Sequence, residues 1–145
     1  MIKIETMTDA HAEQVAALEK LCFCDPWSEN SIRTELSNPL SLWLVALDGE
    51  RVAGYIGSQS VQGESDMMNV AVDPAYRRQG IGEQLVTQLA VQLKELGNES
   101  LTLEVRASND SAIALYQKLD FEQVGRRPNY YRNPKEDALI LRKKL

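Results

Sequence analysis

The segment from Asn69 to Gly82, Asn-Val-Ala-Val-Asp-Pro-Ala-Tyr-Arg-Arg-Gln-Gly-Ile-Gly, limits the possible folds more than any other part of the chain. An apolar strand, Met67 to Val72, stops at Asp73-Pro74. A loop then carries Arg77 and Arg78, and Gly80 and Gly82 open a helical repeat of Ile81, Leu85, Val86, Leu89, Ala90, Leu93 and Leu96. The first turn of a helix has unpaired N–H groups and the positive end of the macrodipole. Glycines let an anion approach that backbone with no Cβ in the way. The construction suits a pyrophosphate.

Two common phosphate loops do not fit. A P-loop needs Lys and then Ser or Thr after its second glycine, and here Glu83 follows Gly82. The dinucleotide fingerprint needs a third glycine where Leu85 stands. What remains is R-x-x-G-x-G from Arg77 to Gly82, with Gln79 and Ile81 between. Glu83 suits the helix dipole but repels a phosphate unless it points away.

A second segment runs from Leu101 to Tyr116. Leu101, Leu103 and Val105 alternate as a strand, so Thr102 and Glu104 face the other way. Glu104 is expected among apolar neighbours near the end of a central strand, where open α/β sheets bind ligands. Ser108-Asn109-Asp110 can cap a helix bearing Ile113, Leu115, Tyr116 and Leu119. Taken singly, Glu104 also reads as a solvated strand residue, Tyr116 as core, and Asn109 as only a cap.

The rest of the chain supplies the frame. Ile2 and Ile4 mark a strand, and Thr8 or Asp9 caps a helix with an apolar stripe of Val15, Leu18, Leu21 and Cys22. Asp25-Pro26 breaks that helix; Ser28 starts a second, which ends at Asn38-Pro39. Leu42 to Leu47 and Val52 to Ser60 form a hairpin about Asp48-Gly49, and Gln62 to Glu64 turn again. Gly97 stands where a helix C-cap belongs. Phe121 to Val124 and Ala138 to Leu141 close the sheet. The expectation is one α/β domain over residues 1–145, a mixed, mostly antiparallel twisted sheet of about six to seven strands with about four helices.

A net charge of -5 and a pI of about 4.9 argue against nucleic-acid binding. No apolar stretch approaches the roughly 20 residues that cross a bilayer, and the N-terminus lacks a signal-peptide pattern, so a cytoplasmic protein is expected. Cys22 and Cys24 with one histidine, His11, are too few ligands for zinc. No metal is expected, and the cysteines are read as packing residues or as thiols near a substrate opening.

The loop Arg77 to Gly82 after V-A-V-D-P resembles the acetyl-CoA pyrophosphate loop of the GNAT acetyltransferases. E-V-R-A-S-N from Glu104, followed by A-x-x-L-Y ending at Tyr116, resembles the RimI branch of that superfamily, which acetylates the N-terminal alanine of a small-subunit ribosomal protein. Pro26-Trp27-Ser28, Asn129-Tyr130-Tyr131 and Glu136-Asp137-Ala138 extend the likeness along the chain. The resemblance implies acetyl-CoA as co-substrate, Glu104 as proton acceptor, Tyr116 as proton donor and Asn109 as a cofactor contact. It implies that N–H groups at Val70, Ala71 and Val72, splayed from the next strand, bind the pantetheine arm. Trp27 and a loop carrying Tyr130 and Tyr131 would flank a peptide amine.

No Cys–His pair is at hand for an acyl-enzyme, so direct attack in a ternary complex is expected, by a monomer or weak dimer. Two other readings stay open. One is the same chemistry on other N-termini, lysine, a polyamine or an aminoglycoside; the other is a non-catalytic acyl-CoA-binding module.

Overall fold

The computed structural model describes residues 1–145. Its strands are β1 (Ile2–Thr6), β2 (Ser41–Asp48), β3 (Arg51–Val61), β4 (Glu64–Val72), β5 (Ser100–Arg106), β6 (Glu122–Tyr131) and β7 (Glu136–Lys144). Its helices are α1 (Ala12–Cys22), α2 (Glu29–Leu36), α3 (Ile81–Glu95) and α4 (Asp110–Lys118), with 3-10 turns at Asp9–His11 and Pro74–Tyr76. One seven-stranded sheet runs β1-β2-β3-β4-β5-β7-β6. Every neighbouring pair is antiparallel except β4 with β5.

Local chemistry sets these elements. Gln62 and Gly63 both take positive φ, 51° and 83°, the backbone of a tight hairpin between β3 and β4. Ser28 caps α2 by accepting the Ser31 N–H. Gly97, at φ 93°, ends α3: its N–H donates to the Lys94 carbonyl and that of Asn98 to the Leu93 carbonyl, a Schellman closure.

Alternation along β2 and β3 divides the core between the two sheet faces. Leu44, Ala46 and Ile56 meet Ile81, Leu85 and Leu89 of α3 on one face. Trp43, Val45 and Tyr55 meet Val15 and Leu18 of α1 and Ile32 of α2 on the other. Leu85, Leu89 and Leu93 are fully buried, each stabilising the fold by about 1.5–3 kcal/mol.

Three expectations need correction. Leu21 is 63 % exposed, because it lies about half a turn round the helix from Ala12; Glu19 takes the inward position instead. Leu96 is the C-cap of α3 and 70 % exposed rather than part of the stripe. The segment carrying Tyr130 and Tyr131 is no loop: β6 extends to Tyr131 by pairing with β7, through register shifts on either side of Arg126.

Candidate active site

The parallel pair creates the site. β4 and β5 are joined only at Glu64–Ser100, Ser65–Leu101 and Asp66–Thr102. Past that point β4 stays with β3 but carries an extra residue, Met68, between Met67 opposite Ser58 and Asn69 opposite Gly57. Such a bulge bends the strand and adds twist. Residues 67–72 therefore have no strand paired on their β5 side. This is the splay expected at Val70 to Val72.

A cleft of about 970 Å³ fills the V. Its lining brings together Trp27, Val70, Glu104, Asn109, Tyr116, Tyr130 and Tyr131, and also Cys22 and Cys24 at its edge. Ala71, Val72 and the arginine–glycine loop from Arg77 to Glu83 lie outside this lining.

That loop is held in place by polar contacts of its own. Asp73 caps the Pro74–Tyr76 turn by accepting the Ala75 N–H at 2.9 Å, and the Tyr76 hydroxyl donates to Asp48 at 2.6 Å. Arg51 pairs with Asp73 at 3.2 Å and lies 5.0 Å over the Tyr76 ring. The backbone N–H of Ala75, then Arg51, hold the Asp73 carboxyl below the usual carboxylate range. Thus anchored, the loop presents Arg77 and Arg78 to solvent without a carboxylate partner. Gly80, at φ 76°, caps α3 with no side chain over the first-turn N–H groups. Ile81 is buried beneath the loop, and Glu83 pairs with Lys118 of α4 at 3.2 Å.

Glu104 faces the cleft from β5, beside Ile140 of β7. Its surroundings are not the apolar ones expected: Nε of Arg127 lies 3.5 Å from Oε2, an oxygen that accepts no hydrogen bond. Tyr130 and Tyr131 approach as well. Burial first, and then the Glu104 carboxylate, raises the pKa of both tyrosines, that of Tyr131 to about 12.

Tyr116 is 6 % exposed, with its ring edge-on to Phe121 and its hydroxyl 4.0 Å from the Met67 sulfur. Burial pushes its pKa up to about 12, so the hydroxyl keeps its proton. Asn109 is the cap of α4: its Oδ1 accepts the Ala112 N–H at 3.3 Å. Its amide nitrogen remains free to donate into the cleft, so capping and ligand contact are compatible.

Sequence reasoning missed the residues that hold the wall carrying Tyr130 and Tyr131. Arg106 donates to the Pro134 carbonyl at 2.9 Å, pairs with Glu136 at 3.3 Å and stacks 4.3 Å over Tyr131. Hydrogen bonds from Ser108, joined by Arg106, hold the Glu136 carboxyl low. Asp137 accepts the Asn129 N–H at 2.8 Å and Arg126 at 2.7 Å, which keeps the irregular end of β6 in place. The signals were the E-D-A triplet and the arginine of E-V-R, each read only as likeness. Glu19 and Asn69 form a further link.

The profile of the Acetyltransferase (GNAT) family matches residues 12–121. The chain is 38% identical over 130 residues to the putative [ribosomal protein bS18]-alanine N-acetyltransferase of Bacillus subtilis, covering 89% of this chain and 86% of that protein. It is 35% identical over 148 residues to an uncharacterised Mycobacterium leprae protein, covering 98% of this chain but spanning only 40% of that protein. The crystal structure of the ribosomal-protein-S18-alanine N-acetyltransferase from Escherichia coli superposes with a TM-score of 0.91 at 34% identity, over 99% of this chain and 94% of that one.

Proposed function

The chain belongs to the GNAT acetyltransferase family, and from that premise we propose that it moves acetyl from acetyl-CoA to a protein N-terminal α-amine, in first place an N-terminal alanine of a small-subunit ribosomal protein. The observation that carries this reading is that Glu104 and Tyr116 together line one cleft in the β4–β5 splay. Relatives named for the bS18 alanine support the choice of amine.

The first N–H groups of α3 with Arg77 and Arg78 would hold the pyrophosphate of acetyl-CoA, the β5-side edge of Val70 to Val72 would hold its pantetheine arm, and Asn109 would donate to it. An α-ammonium with a pKa of about 8 gives its first proton to Glu104, directly or through a water. Nitrogen then bonds to the thioester carbon and the carbon–sulfur bond breaks. Tyr116, protonated at neutral pH, donates to the departing sulfur to give the CoA thiol, and nitrogen's second proton passes to the Tyr116 oxygen, leaving the amide. Trp27, Tyr130 and Tyr131 flank the peptide.

Residues 1–145 are read as one such domain, since its sheet takes strands from Ile2 to Lys144. It works in the cytoplasm without nucleic acid or metal, as a monomer or weak dimer. No helix is long and apolar enough to cross a membrane, and the net charge of -5 fits poorly with nucleic acid.

The test incubates the protein with acetyl-CoA and Ala-, Ser- and Met-starting peptides, a lysine peptide and spermine, read by mass spectrometry. Acetylation of the alanine α-amine, lost in Glu104→Gln and Tyr116→Phe while acetyl-CoA still binds, is the expected result. Turnover of spermine or lysine alone overturns the substrate and keeps the chemistry. Binding of acetyl-CoA with no product on any amine points to a sensing module instead.

A further inference from the structure

Glu19 is the one charged side chain in the core, 1 % exposed, and the chemistry above makes no use of it. Its Oε1 accepts the backbone N–H of Trp27 and its Oε2 accepts the Asn69 amide nitrogen, both at 2.8 Å. No cation pairs with it. A buried carboxylate without a counterion is costly to keep, and burial raises its pKa against the pull of those two bonds.

Both partners line the cleft, Trp27 from the α1–α2 connection and Asn69 from β4. Trp27 belongs to the wall between α1 and α2, and its ring meets that of Trp43 edge-on at 5.5 Å. Trp43 in turn lies against Gly57, where an added Cβ would come within 2.5 Å of the indole. Gly57 is the β3 partner of Asn69, which directly follows the bulged Met68 and precedes Val70. One carboxylate thus joins the amine wall to the strand whose backbone faces the acetyl-CoA arm.

We propose that Glu19 is a positioning residue that locks the Trp27 wall to the bulged stretch of β4 and so sets the gap in which the amine meets the thioester. This rests on reading the cleft as the acetyl-transfer site. Both partners are donors, which gives the lock a definite polarity. Asn69→Asp places a second carboxylate against the first and breaks it. Glu19→Gln alone is tolerated, because the Asn69 carboxamide turns over and offers its oxygen. The two substitutions together restore both bonds, with the glutamine oxygen accepting from Trp27 and its amide donating to the new carboxylate.

Steady-state kinetics with an alanine-starting peptide, varying peptide and acetyl-CoA separately, test this. Asn69→Asp should lower kcat/KM for the peptide about tenfold or more, with the acetyl-CoA KM within about twofold of the parent. Adding Glu19→Gln should bring the peptide value back to within about threefold. A side chain that merely touched substrate at position 69 would not be rescued from position 19. The inference is overturned if Asn69→Asp leaves peptide kinetics unchanged, if the double variant is no better than the single, or if both KM values rise together. A parent protein that acetylates no peptide overturns the site reading itself, and this inference with it.

Discussion

The proposed acetyl-CoA half and the proposed amine half of the site are made in different ways. The first is one strand–turn–helix unit, residues 69–82, and what it offers a ligand is mainly backbone: the unpaired edge of β4 and the start of α3, whose cap, Gly80, brings no side chain. The second is gathered from α1, the α1–α2 connection, β5 and the β6–β7 hairpin, and side chains hold it: Glu19 to Trp27, Arg106 to Glu136, Asp137 to Asn129. A backbone site survives most substitutions, provided its glycines stay. A side-chain site fails wherever one partner is lost, because each buried polar group left unpaired carries its own penalty.

The largest expected effect lies on the side-chain half. Glu104→Gln removes the proposed proton acceptor while keeping size and backbone, so kcat should fall by about 10²- to 10⁴-fold. Titration calorimetry should find acetyl-CoA binding unchanged. Weakened acetyl-CoA binding would mean that the two halves are not separable as described.

Next comes a stability effect from the hydroxyl of Tyr116. Its pKa is about 12 in the folded protein, from burial, against 10.0 for an ordinary tyrosine. Between these values the unfolded chain has lost the proton and the folded one keeps it, so stability is intact below pH 10 and declines as pH rises toward 12. At about 1.4 kcal/mol per unit the loss is about 3 kcal/mol. Urea unfolding across pH 9 to 12 should show a steeper decline for the parent than for Tyr116→Phe. Equal slopes would place the hydroxyl in water.

On the backbone half, Gly80→Ala is the substitution expected to matter. At φ 76° a Cβ costs about 1–2 kcal/mol, and open space around the position leaves no clash to add. The acetyl-CoA dissociation constant should rise about five- to tenfold with the peptide KM unchanged. A matching rise in the peptide KM would break the division between the halves.

The same contrast explains what could be read in the residues beforehand. Strand stop, arginines and glycines of the acetyl-CoA loop are contiguous, so their joint meaning survives in one stretch of text. Glu104's facing and the hairpin at Gln62-Gly63 follow from alternation and turn chemistry, which are also local. Glu19 was legible only in hindsight. It falls on the inward stripe with Ala12, Val15 and Ala16, but a glutamate there reads as solvated until Trp27 and Asn69 are seen to meet it. β6 runs past the expected Val124 because Gly125, Arg126 and Arg127 pair with β7 and Tyr131 rejoins it at Glu136, while Pro128 and Asn129 fall in the register shift between them. The insertion of β7 between β5 and β6, which brings Tyr130 and Tyr131 to Glu104, depends on contacts that no sequence window contains.

The smallest expected effect tests whether the backbone half is as self-sufficient as it looks. Lys118, on α4, holds Glu83 in the first turn of α3 at 3.2 Å, and both side chains are at least partly in water. An exposed pair of this kind contributes under about 1 kcal/mol. Its relevance here is directional: it keeps a carboxylate turned from the place where the pyrophosphate is proposed to sit. Lys118→Ala leaves that charge free to face the ligand, so acetyl-CoA should bind about two- to threefold more weakly at low salt. Raising the salt to about 0.5 M, where the screening length falls well below 10 Å, should erase most of the difference. Glu83→Gln in the same background should erase it at any salt. A Lys118→Ala defect insensitive to both would mean that α4 itself, and not the charge on Glu83, supports the loop, and the acetyl-CoA half would then depend on side-chain packing much as the amine half does.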